Sequence, residues 1–187
     1  MEKLLFRNRY RIPSSRLPFW NYGNDGWYYL TICTKQRKCH FGRIKNYKMH
    51  LSPLGKITKS YLKQIPHHFP NATLETFVIM PNHIHLIITL DTDKKSRQIK
   101  TEFKNTIRSK MSYITPTPGS IPVIIGSFKS ICKKKISKKH PKSNFQWQTR
   151  YYDHLIRKRE SMYKIGQYIL NNPIKWEIDR NNPKNIR

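Results

Sequence analysis

The sequence predicts an α+β protein with a ferredoxin-like (RRM-like) β-α-β-β-α-β core, an antiparallel sheet and an additional C-terminal helix. Three observations lead to this fold class. Strand-like and helical patterns follow one another in the order strand, helix, strand, strand, helix, strand, helix. A Pro-Asn pair separates the two adjacent strands by a tight turn, and the last helical pattern directly follows the fourth strand.

The first half of the core is predicted from strong local signals. Residues 27–34, WYYLTICT, have the aromatic and β-branched content of a strand. Ser52 is a suitable N-cap and Pro53 suits the first helical position, so a helix begins there. Pro66 is predicted to end this helix. Its apolar residues recur at helical spacing: Leu54, Ile57, Tyr61 and Ile65.

Two further strands are predicted at residues 76–80 and 84–90, joined by Pro81 and Asn82 as a hairpin. Apolar residues at every fourth position then predict a helix from Ile99 to Met111.

The second half of the core is predicted from less regular sequence patterns. A second helical segment is expected at 124–136 and a fourth strand region at 145–156, FQWQTRYYDHLI. A last helix is predicted from Glu160 to Asn171 and stopped by Pro173. We expect a basic N-terminal extension at 1–26, a single domain at 27–176 and a polar C-terminal tail at 177–187.

The charge of the chain indicates a polyanionic partner. The 187 residues carry 37 Lys and Arg against 10 Asp and Glu, a formal charge of +27. Phosphate neutralisation provides most non-specific affinity for nucleic acid, so DNA or RNA is the expected partner. No Asp or Glu occurs between Glu102 and Asp153. The predicted DNA-binding residues lie in this acid-free window: Lys129, Lys133, Lys134, Lys135, Lys138, Lys139 and Arg150.

Composition also excludes some classes of protein. Cys33, Cys39 and Cys132 form no CxxC pair, so a zinc framework is not expected. The chain shows no signal-peptide pattern and no apolar run of membrane-spanning length, so no membrane partner is expected. We therefore predict a cytoplasmic, nucleoid-associated protein.

His83 and His85 are the most informative pair in the chain. Side chains alternate between faces along a strand, so both imidazoles project from one face, about 7 Å apart at Cα. Ile84, Leu86 and Ile88 project from the other face. Two imidazoles on one face can hold a divalent metal ion. The alternative is two partly exposed histidines on a sheet surface.

Tyr168 is the candidate nucleophile and Asn172 a candidate third ligand. They lie four residues apart on the border of the apolar face of the last helix, so they face the same direction. Tyr168 could also be an ordinary amphipathic residue. A tyrosine hydroxyl has a pKa near 10 and is a weak nucleophile, but a divalent metal on a phosphate makes in-line attack easier. Imidazole and oxygen ligands suit Mn²⁺ and tolerate Mg²⁺.

Four segments together carry a family resemblance: PNHIHLIITL, FKSICKK, FQWQTRYYDHLIR and IGQYILNNPIKW, in that order. They resemble the REP-associated tyrosine transposases, which are single-tyrosine HUH endonucleases related to insertion-sequence transposases. The similarity runs from about Trp27 to Trp176. The resemblance implies that His83 and His85 are metal ligands, that Tyr168 is catalytic, and that Asn172 occupies the place of a polar third ligand.

The resemblance further implies metal-dependent cleavage of single-stranded DNA beside a hairpin of the REP or palindromic kind, by a monomer or a homodimer. His154 is expected to be a structural or phosphate contact. Tyr151, Tyr152 and Tyr163 compete with Tyr168 as nucleophiles, and helical position favours Tyr168.

Two alternatives of other classes stay open. One is a non-catalytic nucleic-acid-binding module, an RNA binder or a domesticated transposase, in which Tyr28 and Tyr29 stack on bases. The other is a small-molecule metallohydrolase, for which only Asp153 and Glu160 are close to the motifs as acids.

Overall fold

A computed structural model of the chain describes residues 20–93 and 117–185. Within these two stretches the strands are β1 Gly26–Cys33, β2 Gly42–Lys45, β3 Lys48–Leu51, β4 Ala72–Ile79, β5 His83–Leu90 and β6 Tyr152–Ile156. The α-helices are α1 Pro53–Lys63, α2 Ile65–His68, α3 Ile121–Lys139 and α4 Arg159–Leu170.

The main sheet has four strands in the order β4-β5-β1-β6, and every neighbouring pair is antiparallel. In β1 and β5, Gly26 pairs with Leu90 at one end and Cys33 with His83 at the other. Helices α1 and α3 contact each other and share one cluster of buried residues with the sheet. This is the β-α-β-β-α-β order of a ferredoxin-like core, so the predicted fold class is confirmed.

The two faces of the sheet pack against different elements. Ile84, Leu86, Ile88 and Leu90 of β5 are almost completely buried in the larger cluster, on the side of α1 and α3. On the opposite face, Ile87 and Ile156 pack with Ile169 of α4 in a smaller cluster. The additional C-terminal helix therefore covers the face from which His83 and His85 project.

Helix α1 begins as predicted and ends earlier than predicted. The Ser52 hydroxyl accepts a hydrogen bond from the Gly55 amide at 3.1 Å, and Pro53 is the first helical residue. The helix ends at Lys63, and Pro66 lies in the separate short helix α2 instead of ending α1. Proline lacks an amide hydrogen but suits the first turn of a new helix, which explains its position.

Two other predicted elements differ from the structure, and one is not tested by it. The helix predicted from Ile99 to Met111 lies outside the described residues. Helix α3 is longer than expected and begins at Ile121. Of the strand region predicted at 145–156, only β6 forms a strand; the segment before it pairs with the chain after β1 through a single antiparallel bridge between Thr34 and Trp147.

The two-stranded β2–β3 hairpin was not predicted from the sequence. Its strands pair from Gly42 with Leu51 to Lys45 with Lys48. Each strand has four residues, too few for the alternating pattern to stand out from the surrounding basic sequence.

Candidate metal centre and neighbouring tyrosine

The two histidines of β5 meet at the start of the strand. Their side chains are 0% and 1% exposed, and the Nε2 atoms of His83 and His85 are 3.1 Å apart. The ring centroids are separated by 4.6 Å with an interplanar angle of 75°. The sequence prediction that both imidazoles share one face is confirmed, and the alternative of two surface-exposed histidines is wrong.

Asp179 adds a carboxylate to this pair. Its Oδ2 lies 3.6 Å from His83 Nε2, and one ligand atom from each of His83, His85 and Asp179 falls within 4.8 Å of the others. Oδ1 accepts a hydrogen bond from the Asn181 amide at 2.7 Å, whereas the buried Oδ2 has no hydrogen-bond partner among the described residues. A buried carboxylate oxygen without a hydrogen-bond partner, facing two imidazole nitrogens, fits a divalent cation.

Burial keeps both imidazoles neutral. The pKa of His83 is held well below its usual value, first by burial and then by the neighbouring His85. Burial, with a smaller contribution from Arg180, lowers the pKa of His85 to about 3. Metal ligation requires neutral imidazole, so both rings are in the state that binds a cation at neutral pH.

Asn82 sets the tautomer of His83. The Asn82 amide nitrogen donates to the Arg37 carbonyl at 2.8 Å and to the Asn181 carbonyl at 2.7 Å. Its oxygen therefore faces His83 Nδ1, at 2.8 Å. Because this oxygen only accepts, Nδ1 of His83 must carry the proton, and Nε2 presents a lone pair to the site.

His85 has a more adaptable environment. Its Nδ1 lies 2.8 Å from the Tyr29 hydroxyl and 2.9 Å from the Thr31 hydroxyl. Burial raises the pKa of Tyr29, so its hydroxyl stays protonated. Hydroxyls both donate and accept, so they can partner either tautomer of His85, including the Nδ1–H form that frees Nε2 for a metal.

Tyr168 lies beside the histidine pair. Its ring centroid is 5.6 Å from that of His85 and 6.5 Å from that of Tyr29, and the residue is 45% exposed. The next residue, Ile169, is completely buried and anchors the helix on the sheet. The tyrosine is therefore held at the site with one side open to solvent.

The competing tyrosines lie elsewhere or contact the site less directly. Tyr152 is 43% exposed, and its ring is 6.2 Å from that of Tyr29. Tyr151 packs against the larger core on the other face, and Tyr163 on α4 is 71% exposed.

Asn172 is buried near the end of α4. Its amide nitrogen donates to the Tyr168 carbonyl at 2.8 Å. The carboxylate that the structure brings to the imidazoles is instead Asp179, which lies in the segment predicted to be a polar tail. Ligation by Asn172 stays a prediction.

The predicted DNA-binding residues differ in their exposure and contacts. Four project into solvent from α3: Lys133, Lys134, Lys138 and Lys139. Arg150 is exposed and Lys135 half-buried. The Lys129 ammonium instead donates to the Gln148 and Thr149 carbonyls at 2.6 and 3.0 Å, so it holds the segment before β6.

One other expectation changes with the structure. Tyr28 is completely buried and Tyr29 contacts His85, so Tyr28 offers no base-stacking surface. His154 is exposed on edge strand β6.

No α-helix within the described stretches has the length and hydropathy needed to cross a membrane.

Four residues of the site were not predicted from the sequence: Asp179, Asn82, Tyr29 and Thr31. Asn82 directly precedes the histidine pair, which is a usable signal for an orienting residue. Asp179 lies 94 residues after His85, and no spacing rule connects them.

Fold and site together define an α+β protein with a ferredoxin-like core, in which a potential metal-binding group lies beside a surface tyrosine. No protein-family model matches the chain. An uncharacterized protein of Haemophilus influenzae is 37% identical over 167 residues, which cover 89% of this chain and 91% of that protein. The chain belongs to one family with this protein.

A second protein of Haemophilus influenzae, named "Putative REP-associated tyrosine transposase", is 26% identical over 159 residues, 83% of this chain and 76% of that protein. Among solved structures, a REP-associated tyrosine transposase bound to a REP hairpin matches with a TM-score of 0.47 and 19% identity, over 80% of this chain and 67% of that one. A "putative transposase" from Deinococcus radiodurans matches with a TM-score of 0.46 and 16% identity, over 79% and 91% of the two chains. The second of these relatives, at 26% identity, confirms the predicted resemblance to the REP-associated tyrosine transposases.

Proposed function

We propose that this protein is a metal-dependent single-stranded DNA endonuclease and strand transferase, a transposase that nicks DNA next to a hairpin through a covalent bond to Tyr168. The observation that carries the proposal is the position of Tyr168. Its ring lies 5.6 Å from that of His85, whose imidazole belongs to a group of three potential metal ligands.

His83, His85 and Asp179 would hold Mn²⁺ or Mg²⁺, with Asn172 as a further predicted ligand. A bound divalent cation neutralises phosphate oxygens and draws charge from the leaving oxygen. Two neutral imidazoles and one carboxylate give a ligand set without thiolate, which suits these two metals better than a structural zinc site.

The chain's own part in the reaction is positioning and nucleophilic attack. The Tyr168 oxygen forms a bond to phosphorus while the phosphodiester bond to the leaving oxygen breaks. The phenol proton passes to solvent on the open side of Tyr168, and the leaving oxygen takes up a proton to become a free hydroxyl. The phosphotyrosine retains an ester bond, so a second strand can be joined by the reverse step.

The solvent-facing lysines of α3 support a DNA substrate. Lys133, Lys134, Lys138 and Lys139 follow one another on a helix that has no acidic residue. Such a surface neutralises phosphates, which binds nucleic acid without reading its sequence.

The test is a denaturing gel of labelled hairpin-bearing oligonucleotides incubated with the protein and Mn²⁺. We expect a slowly migrating covalent band that is absent with EDTA and absent for Tyr168→Phe. Tyr152→Phe is the matched control because its ring lies near the same Tyr29 and is equally exposed. A band that persists in Tyr168→Phe, or tight binding without any adduct across the panel, would overturn the proposal and favour the non-catalytic binding module.

A further inference from the structure

The β2–β3 hairpin, called here the basic ribbon, presents one strongly basic face. Arg43 and Lys45 alternate with inward-facing residues on β2, and their cross-strand partners are His50 and Lys48. All four side chains are exposed. The opposite face of the ribbon packs Met49 and Leu51 against the larger core.

The positive charges of this face are not compensated. The sequence has no Asp or Glu between Asp25 and Glu75. Within residues 20–93 and 117–185, no carboxylate forms an ion pair with Arg43, Lys45 or Lys48. Lys45 and Lys48 are direct cross-strand partners, an arrangement that destabilises a hairpin by like-charge repulsion. A polyanion on this face would remove the repulsion.

The tip of the ribbon is strained and carries an exposed aromatic ring. Asn46 and Tyr47 form the two-residue loop, with φ angles of 50° and 59°. Such loops strongly prefer glycine at the second position, and a bulky residue with positive φ is uncommon. Tyr47 is nevertheless 69% exposed, so packing does not explain its presence. Strained residues that contribute nothing to the core are found at binding sites.

The base of the ribbon is attached to the turn that precedes the histidine pair. The Phe41 amide donates to the Pro81 carbonyl at 2.9 Å, and the Phe41 carbonyl accepts from the Ser52 amide at 2.8 Å. A Cβ on Gly42 would lie 2.0 Å from the His50 carbonyl oxygen, so glycine is required for this close approach. The ribbon is therefore fixed relative to His83.

We propose that the basic ribbon binds the duplex stem of the DNA substrate, with Arg43, Lys45 and Lys48 on the phosphates and Tyr47 stacked on an unpaired base beside the stem. The major groove of duplex DNA is about 12 Å wide and admits a two-stranded β-ribbon. Cations on both strands of the ribbon then face the two rows of phosphates that border the groove. The choice of DNA as the partner rests on the proposed function; the surface itself rests on charge, exposure and strain.

The experiment measures binding by fluorescence anisotropy in EDTA, so that cleavage does not enter. The probes are a labelled DNA hairpin with a single-stranded flank and an unstructured strand of equal length. The ribbon variant is R43Q/K45Q/K48Q. The matched control is K56Q/K59Q/K63Q, which removes three exposed charges from α1. Each phosphate contact contributes about 0.9 to the slope of log affinity against log salt for duplex DNA.

We expect the ribbon variant to lower the slope for the hairpin by about two to three, with a smaller effect on the unstructured strand. The control variant should change both slopes by less than about one. Equal effects of the two triple variants on the hairpin would overturn the proposal, since they would show a general response to net charge. This outcome is independent of whether the protein forms a covalent adduct.

The variant Tyr47→Gly provides a second test, because its stability and its affinity for DNA are expected to change in opposite directions. Glycine relieves the positive φ, so we expect the melting temperature to rise. Loss of one stacking contact should nevertheless weaken binding to the flanked hairpin by about tenfold. A variant that is more stable and binds as tightly as the unmodified protein would overturn the assignment of Tyr47 to the base contact.

Discussion

The side-chain oxygen of Asn82 lies 2.8 Å from Nδ1 of His83, while the amide nitrogen of the same residue donates to the carbonyls of Arg37 and Asn181. One buried side chain thus orients the imidazole and joins it to two distant segments. One of these segments carries Asp179. The relationship explains how residues far apart in the sequence reach one site.

Replacing Asn82 should therefore weaken metal binding. Asn82→Ala removes the acceptor that fixes His83 and the donors that hold the Asp179 segment, so we expect Mn²⁺ affinity to fall about 10- to 100-fold by isothermal titration calorimetry. Asn71→Ala is the matched control, because Asn71 is also buried and donates to a backbone carbonyl, that of Gly119 at 3.0 Å. An equal loss of affinity in the Asn71 variant would show a general effect of destabilisation.

We expect Asp179 to contribute more to metal binding than Asn172. Asp179→Asn keeps the shape but removes the negative charge whose oxygen lies 3.6 Å from His83 Nε2. We expect a larger loss of Mn²⁺ affinity for Asp179→Asn than for Asn172→Ala, measured by the same titration. Glu177→Gln, an exposed neighbour, should leave affinity unchanged. If Asn172→Ala is the more damaging variant, Asn172 and not Asp179 is the third ligand.

The stability of the metal-free protein should decrease as the pH falls below about 6.5. Both histidines have lowered pKa values in the folded state, to about 3 for His85. The unfolded chain therefore binds protons that the folded chain does not, and the free energy of unfolding rises with pH in this window. Each buried histidine contributes up to about 1.4 kcal/mol per pH unit.

Urea unfolding in EDTA at pH 7, 6 and 5 measures this slope. His85→Gln should show a shallower slope than the unmodified protein, since one of the two buried imidazoles is gone. His67→Asn, at an exposed position, should retain the full slope. Identical slopes in all three proteins would contradict the burial of neutral imidazoles.

Neutralising the exposed lysines of α3 should weaken DNA binding broadly. K133Q/K134Q/K138Q/K139Q removes four solvent-facing charges, so affinity should fall for all sequences alike and its salt dependence should flatten. Lys129→Met should instead lower the melting temperature and leave the affinity for DNA almost unchanged, because the Lys129 ammonium is hydrogen-bonded to two backbone carbonyls. An unchanged salt slope in the quadruple variant would place the DNA elsewhere.

The sequence by itself determined the fold class and the pairing of the two histidines. Strand and helix periodicities are local properties, and β5 alternates its side chains so regularly that His83 and His85 must share a face. The helix that carries Tyr168 was also predictable, because its apolar arc and Pro173 mark it clearly.

Only the tertiary structure decided the composition of the site. Asp179 reaches His83 through a turn after α4 and through Asn82, contacts that depend on chain segments far apart in sequence. The basic ribbon was equally hidden, since two four-residue strands give little periodic signal and are stabilised by packing of Met49 and Leu51 on the core. Local pattern specifies which face a side chain occupies; long-range packing specifies which other side chains it meets.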